Sequence, residues 1–219
     1  VLVARMDFGG TWFTRAEIAG PGFINFFLEP RWFGEVLESI TALNGAYGHT
    51  NYGGGKKVMV EFVSANPTGP MHMGNARGGA IGDCLASAME AAGYDVTREF
   101  YVNDAGNQVE KFAISLEARY LQLHKGEDAV SFPEDGYQGD DIRERAQEFY
   151  EINGAAPAEG PEDTLQQALV EYALPRNIQA MKDDLAKYRI SYDTWFQEST
   201  LHASGAVDKV IETLKQKGA

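Results

Sequence analysis

The sequence predicts an α/β fold: a parallel sheet with helices packed on it, preceded by a smaller α+β piece. Three observations predict it. Residues 57–63, Lys57-Val58-Met59-Val60-Glu61-Phe62-Val63, form a short, β-branched apolar run that reads as a buried parallel strand. A helical pattern follows from Asn75 to Ala92, with apolar Ile81, Cys84, Leu85, Ala88, Met89 and Ala92 at helical spacing and Gly93 where a helix should stop. Residues 95–102 then alternate as a second strand. Together they make a β-α-β unit, expected to be right-handed with parallel strands.

The elements on either side are less regular. Residues 12–18 and 23–28 read as short β segments around the turn Gly20-Pro21-Gly22. Pro30 opens a helix that carries Trp32, Phe33, Val36, Leu37 and Ile40 on one face. Residues 45–55, rich in Gly and Asn, read as a linker. The first fifty residues offer too little core to stand alone. Residues 1–50 are therefore expected to be the tail of one domain, with residues 51–219 belonging to a second. Downstream, a helix is expected over 105–124, with Asn103 and Asp104 as N-caps. A loop holding Pro133, Gly136 and Gly139 leads to a helix near 140–152. A helical stretch over 162–188 should break or kink at Pro175. A short aromatic segment at 190–196 and a helix at 205–217 complete the pattern, with no internal repeat.

Composition narrows the function. No stretch of eighteen or more apolar residues exists, so no segment reads as a membrane-spanning helix. The single cysteine, Cys84, excludes an internal disulfide and fits a reducing compartment; its place on the apolar helix face marks it as a core residue. The opening Val1-Leu2-Val3-Ala4-Arg5 has neither an initiator Met nor a signal-peptide core, so an intracellular chain cut from something longer is expected. A net charge of −13 is unpromising for a nucleic-acid binder. However, residues 127–163 hold twelve acidic and two basic side chains, whereas residues 1–60 balance five against five. Such a block reads as a solvated face that avoids phosphate, and it leaves RNA contact open elsewhere.

The chemistry concentrates in Ser64-Ala65-Asn66-Pro67-Thr68-Gly69-Pro70-Met71-His72-Met73-Gly74-Asn75, which joins the first strand to the helix. That is the carboxyl edge of a parallel sheet, where open α/β folds bind ligands. The helix start offers unpaired N–H groups and a positive dipole end to phosphate. Gly74 lets a base or phosphate approach the backbone, and His72 supplies a movable donor able to carry charge near neutral pH. Each has a plainer reading: His72 as a satisfied loop histidine, Asn75 as an ordinary N-cap, Asn66-Pro67 as a turn pair, and Gly74, Gly78 and Gly79 as packing glycines. Glu61 within a buried strand needs a partner, for which a substrate cation is one candidate.

Residues 60–78 resemble the His-Ile-Gly-His signature of class I aminoacyl-tRNA synthetases, in the long form found in arginyl-tRNA synthetases. Further segments agree in order: residues 93–106 resemble the family's second strand, 133–139 (Pro-Glu-Asp-Gly-Tyr-Gln-Gly) its inserted loop, and 192–199 a later block. Residues 19–26 resemble the end of its N-terminal additional domain. The resemblance implies a partial Rossmann-like catalytic domain over 51–219, with an acidic helical insertion at about 125–165. It also makes residues 1–50 the C-terminal part of a domain that binds the tRNA D-loop. It implies a ligase that joins arginine to tRNA(Arg) using ATP, with Mg²⁺ on the nucleotide and tRNA required before arginine is activated. A monomer in the cytoplasm is expected.

Residue by residue, His72, Gly74 and Asn75 match ATP-contacting positions, His72 and Asn75 being the catalytic pair. Ser64, Asn66 and His72 match positions that hold the amino and carboxylate ends of arginine, with Glu61 beside them. Phe23 and Asn25 match D-loop contacts, an aromatic-plus-amide pair suited to an unpaired base, though a core Phe beside a turn Asn explains them equally well. The signature's second His is Asn75 here, which keeps hydrogen bonding but gives up titratable charge. No Lys-Met-Ser-Lys-Ser-like loop follows, nor the Tyr and Asp expected to grip the guanidinium, nor an anticodon-binding domain. About a third to two-fifths of a family member is expected to be present, binding ATP weakly and turning over negligibly alone. Two other readings stay open: a different His-x-Gly nucleotidyltransferase or pantothenate-synthetase-like ligase, and a non-catalytic RNA-binding module on the same fold.

Overall fold

The structure, a computed structural model, describes residues 1–160 and 162–218. They fall into two compact units, Val1–Thr50 and Asn51–Ala219. In the first unit, β1 (Phe13–Ala19) and β2 (Phe23–Leu28) pair antiparallel, with Glu17 opposite Asn25 and Ala19 opposite Phe23. Pro30 occupies the first turn of α1 (Pro30–Leu43), where its missing N–H costs nothing. Ring contacts hold the hairpin: Phe13 lies 5.0 Å from Phe26, and the Arg15 guanidinium sits 3.6 Å over Phe27. None of residues 1–50 is buried, as expected when two strands and one helix must make a core.

The second unit is built on a three-stranded sheet. β3 (Lys57–Glu61), β4 (Asp95–Val102) and β5 (Thr194–Gln197) lie in that order and all pair in parallel. Helix α2 (Met73–Ala91) connects β3 to β4. The longer connection to β5 carries α3 (Asn107–Lys125), α4 (Asp140–Asn153) and α5 (Glu162–Lys187); α6 (Ser199–Ala203) and α7 (Ala206–Gln216) follow. Two cores result. Phe62, Phe100, Val102, Met181, Leu185 and Ile190 join the sheet to the end of α5. A second cluster, centred on Phe112, Leu116, Tyr120, Ile142, Phe149 and Leu169, ties α3, α4 and α5 into a helical layer.

The α/β class and the β-α-β unit agree with the sequence pattern, but several local expectations do not. β3 lies at the edge of the sheet and alternates in exposure instead of being buried, with Met59 60% exposed. Glu61 at its end is exposed as well, so no buried carboxylate stands there awaiting a partner. Helix α2 starts at Met73, two residues before Asn75, because His72 caps it.

The buried face of α2 is Gly79, Gly82 and Ala86, while Ile81 (64%), Leu85 (51%) and Cys84 face outward. Cys84 is therefore not a core residue. Close approach decides this: a Cβ on Gly82 would lie 2.2 Å from Phe62 Cγ, and one on Gly79 would lie 2.9 Å from Ile190 Cδ1. Only the small residues fit against the sheet, whatever the hydrophobic pattern suggests.

Helix α3 begins after Gly106, not after Asn103-Asp104. The Asp104 carboxylate instead accepts from the Ser199 N–H (2.8 Å) and hydroxyl (2.7 Å), joining the end of β4 to α6. Helix α5 runs through Pro175 without a break. The carbonyl that loses its N–H partner there belongs to exposed Glu171, where water can serve.

Arg98 on β4 anchors α2 from below. It donates to Glu90 (2.5 and 3.0 Å) and Ser87 (3.1 Å) and lies 3.5 Å from Asp83. These bonds hold the Glu90 carboxyl below its usual range and push the Arg98 guanidinium up.

Gly82→Ala is expected to destabilise the chain by about 1–3 kcal/mol through overpacking against Phe62. Cys84→Ala, on the outward face of the same helix, should stay within about 0.5 kcal/mol of the parent. Urea unfolding of both variants checks the assignment of the buried face.

Candidate active site

The site begins where β3 ends. Val63 and Ser64 both take positive φ, +67° and +42°, a conformation costly for any residue with a Cβ and most of all for a β-branched one. Several bonds hold the turn. The Phe62 carbonyl accepts from the Ser64 N–H (3.0 Å) and from the Tyr192 hydroxyl (3.0 Å). The Ser64 hydroxyl donates to Glu61 Oε1 (2.8 Å) while its oxygen accepts from the Tyr101 N–H (3.1 Å) on β4. Tyr192 packs 4.6 Å from the Phe62 ring, and burial, with Asp83 nearby, pushes its phenol well above the usual range, so it stays a neutral donor.

The loop then runs to α2, where the backbone closes a capping box. His72 has extended geometry (φ −125°, ψ 176°), and its Nδ1 accepts from the Gly74 N–H at 3.1 Å. Asn75 Oδ1 accepts from the His72 N–H at 3.0 Å. With Nδ1 so occupied, the ring donates through Nε2 only. His72 is thus a fixed donor more than a movable one. Gly74 makes this possible, since a Cβ there would sit 2.9 Å from His72 Cε1 and 3.0 Å from Nδ1. Between the two ends, buried Asn177 of α5 pins the loop: its amide donates to the Pro67 carbonyl (3.0 Å) and its oxygen accepts from Arg145 Nε (3.1 Å).

A cleft of about 630 Å³ opens over this loop. Ser64, Asn66, His72 and Asn75 line it on the loop side; Gln108, Tyr137 and Asp141 line it from the helical layer. Tyr137 donates its hydroxyl to Gln108, and its N–H donates to buried Ser115 Oγ at 2.8 Å. Burial raises the Asp141 carboxyl above its usual range, against the pull of its local backbone N–H groups and Arg145. A second, more apolar cavity of about 500 Å³ lies against His72 and Asn75 too, walled by Met71, Met73, Leu185 and Tyr188.

The structure therefore brings Ser64, Asn66, His72 and Asn75 together. Glu61 stands one hydrogen bond behind Ser64, and Gly74 lies beneath the His72 ring without lining the cleft. Phe23 (71% exposed) and Asn25 (exposed) are on β2 of the first unit. Sequence reasoning missed Gln108, Tyr137, Asp141, Asn177 and Tyr192. Residues 133–139 and 192–199 stood out only as segments of resemblance, and Asp141 looked like one more charge in an acidic block.

A parallel sheet with a histidine-capped helix N-terminus at its carboxyl edge defines an α/β domain with an open cleft at the loop end of its sheet. The family model described as tRNA synthetases class I (R), catalytic domain, matches residues 37–151, over half of the chain. The chain belongs to this arginyl branch of the class I tRNA synthetases. The arginine–tRNA ligase of Acetivibrio thermocellus is 55% identical over 218 residues, and that of Caldanaerobacter subterraneus subsp. tengcongensis 57% over 218. Both alignments cover 100% of this chain but only 39% and 38% of those relatives. A crystal structure from Campylobacter jejuni, described as an arginyl tRNA synthetase, is 28% identical with a TM-score of 0.72, matching 86% of this chain and 40% of that one.

The raised Asp141 carboxyl carries a stability signature. Because folding raises its pKa, its contribution is fully present below the unfolded carboxylate range and is lost as pH rises through the folded value. Asp141→Asn removes that loss. Its urea midpoint is expected to be no lower than the parent's at neutral pH. The variant-minus-parent difference should shrink on acidification from about pH 7 to about pH 3.

Proposed function

We propose that this chain carries the arginine and nucleotide seats of a ligase that attaches arginine to tRNA(Arg) with conversion of ATP to AMP and pyrophosphate. The observation that carries the reading is the His72–Gly74–Asn75 cap, which opens into the cleft shared with Ser64 and Asn66 in a chain of this family. The arginine carboxylate attacks the α-phosphorus in line and pyrophosphate leaves. The adenylate then passes its arginyl group to a 3′-terminal hydroxyl of the tRNA. Positioning and charge stabilisation supply most of the rate.

In this proposal the α2 N-terminus faces the α-phosphate, and His72 Nε2–H is a donor to the charge developing there. Asn75 fixes the cap through Oδ1 and leaves its amide N–H groups for the nucleotide. Gly74 lets the phosphate approach the backbone. Ser64 and Asn66 hold the amino and carboxylate ends of arginine, and Glu61 orients the Ser64 hydroxyl. Among the described residues no group of three or more His, Cys, Asp or Glu could hold a metal, so Mg²⁺ is proposed to arrive on the phosphates, where it neutralises their charge. Residues 1–50 are assigned to a tRNA D-loop-binding domain, where exposed Phe23 and Asn25 on the β1–β2 hairpin stack on and hydrogen-bond an unpaired base. The enzyme is taken to act as a monomer in the cytoplasm.

In a full-length arginine–tRNA ligase containing this chain, His72→Ala should lose at least ~2 kcal/mol of transition-state stabilisation in arginine-dependent pyrophosphate exchange with tRNA(Arg) present, the scale of one preorganised donor. A loss below about threefold would remove His72 from that role.

A further inference from the structure

We propose that Asp141 is a substrate-positioning residue that meets the α-ammonium group of the amino acid; this rests on the arginine reading above. The cleft has a one-sided charge. Its lining holds amides (Asn66, Asn75, Gln108), hydroxyls (Ser64, Thr68, Tyr137) and His72, but no lysine or arginine, and Asp141 is its sole carboxylate. Asp141 makes no ion pair among the described residues. Arg145, one turn further along α4, is committed elsewhere: its guanidinium donates to Glu148 (2.7 Å) and Asn177 (3.1 Å). The carboxylate reaches toward the loop at Gly69, where a Cβ would stand 3.5 Å from its Oδ2.

The local backbone N–H groups and Arg145 offset the burial of this carboxylate only in part, and no ion pair among the described residues completes it, so a ligand cation in the cleft adds the paired charge it lacks. An amino acid about to be adenylylated supplies one at the required place, because its ammonium sits on the carbon next to the reacting carboxylate. That carboxylate must lie by His72 and the α2 N-terminus, in the same cleft as Asp141. Ser64 and Asn66 offer the ammonium hydrogen-bond acceptors but no opposite charge. The guanidinium, by contrast, is held a full side chain away from the reacting end. Asp141 thus complements the end of the substrate common to all amino acids. It contributes to binding the amino acid, not to choosing arginine over citrulline.

The test is a ligand–protein cycle in the full-length ligase, comparing Asp141→Asn and Asp141→Glu with the parent. Arginine is followed by KM in pyrophosphate exchange, and 5-guanidinopentanoate, which is arginine without its α-ammonium, by its inhibition constant. Asp141→Asn should raise the arginine KM by about tenfold, the scale of a hydrogen bond to a charged partner, and Asp141→Glu by less. The 5-guanidinopentanoate constant and the ATP KM should move by less than about twofold in both variants. Equal weakening of arginine and its deamino analogue overturns the assignment, as does an arginine KM within about threefold of the parent in Asp141→Asn. All exchange assays include tRNA(Arg), and if the parent enzyme then shows no arginine-dependent exchange, the arginine reading itself fails and this inference with it.

Discussion

One carbonyl organises the candidate site. The Phe62 oxygen accepts from Ser64 within the turn and from Tyr192 across the sheet. Those two bonds fix a backbone that would otherwise relax out of the left-handed region at Val63 and Ser64. Phe62 supplies the counterweight through its ring, packed under Gly82 on one side and against Tyr192 on the other. The strained exit therefore stands on the packed Phe62 ring and the Tyr192 hydroxyl. Every later residue of the site, from Asn66 to Asn75, inherits its position from that turn. Asn177 and the capping box then fix the loop at its middle and its far end.

What the sequence reveals about the site follows how local each interaction is. His72, Gly74 and Asn75 fall within one turn of chain, and their spacing alone is enough to mark a helix start that faces a ligand. The turn at Val63–Ser64 leaves no such trace, because neither residue type favours positive φ and only contacts with Tyr101 and Tyr192 make it affordable. Gln108, Tyr137 and Asp141 reach the cleft from the α3–α4 region, dozens of residues away, so no spacing rule could collect them. The order of strands and helices was legible up to α5, but β5 read only as a short aromatic segment and α6 was not expected. The faces they bury were less so: α2 turns its glycines inward, since backbone approach to the sheet outweighs the area that Ile81 and Leu85 could have buried.

The acidic block resolves into separate jobs. Glu148 takes Arg145, Asp135 takes Lys111 at 2.8 Å, and Glu127 takes Arg143 at 3.2 Å. These pairs are individually weak; Glu148–Arg145 lies within α4, while Asp135 and Glu127 tie the segment between the helices to α3 and α4. Asp141 has no such pairing, and it is the member of the block that lines the cleft. Its place in the cleft lining, which a charge count over the segment cannot show, is what sets Asp141 apart.

Cys84 has a practical consequence. It is the chain's single thiol, it faces solvent, and it rides on the same rigid helix whose first turn holds His72. At about 1.5 Å rise per residue, the sulfur stands roughly 16 Å along the helix axis from Met73. A fluorophore or spin label attached there needs no engineered cysteine. It would report how the capped end of the helix tilts as the cleft fills, from a point too distant to touch the substrate.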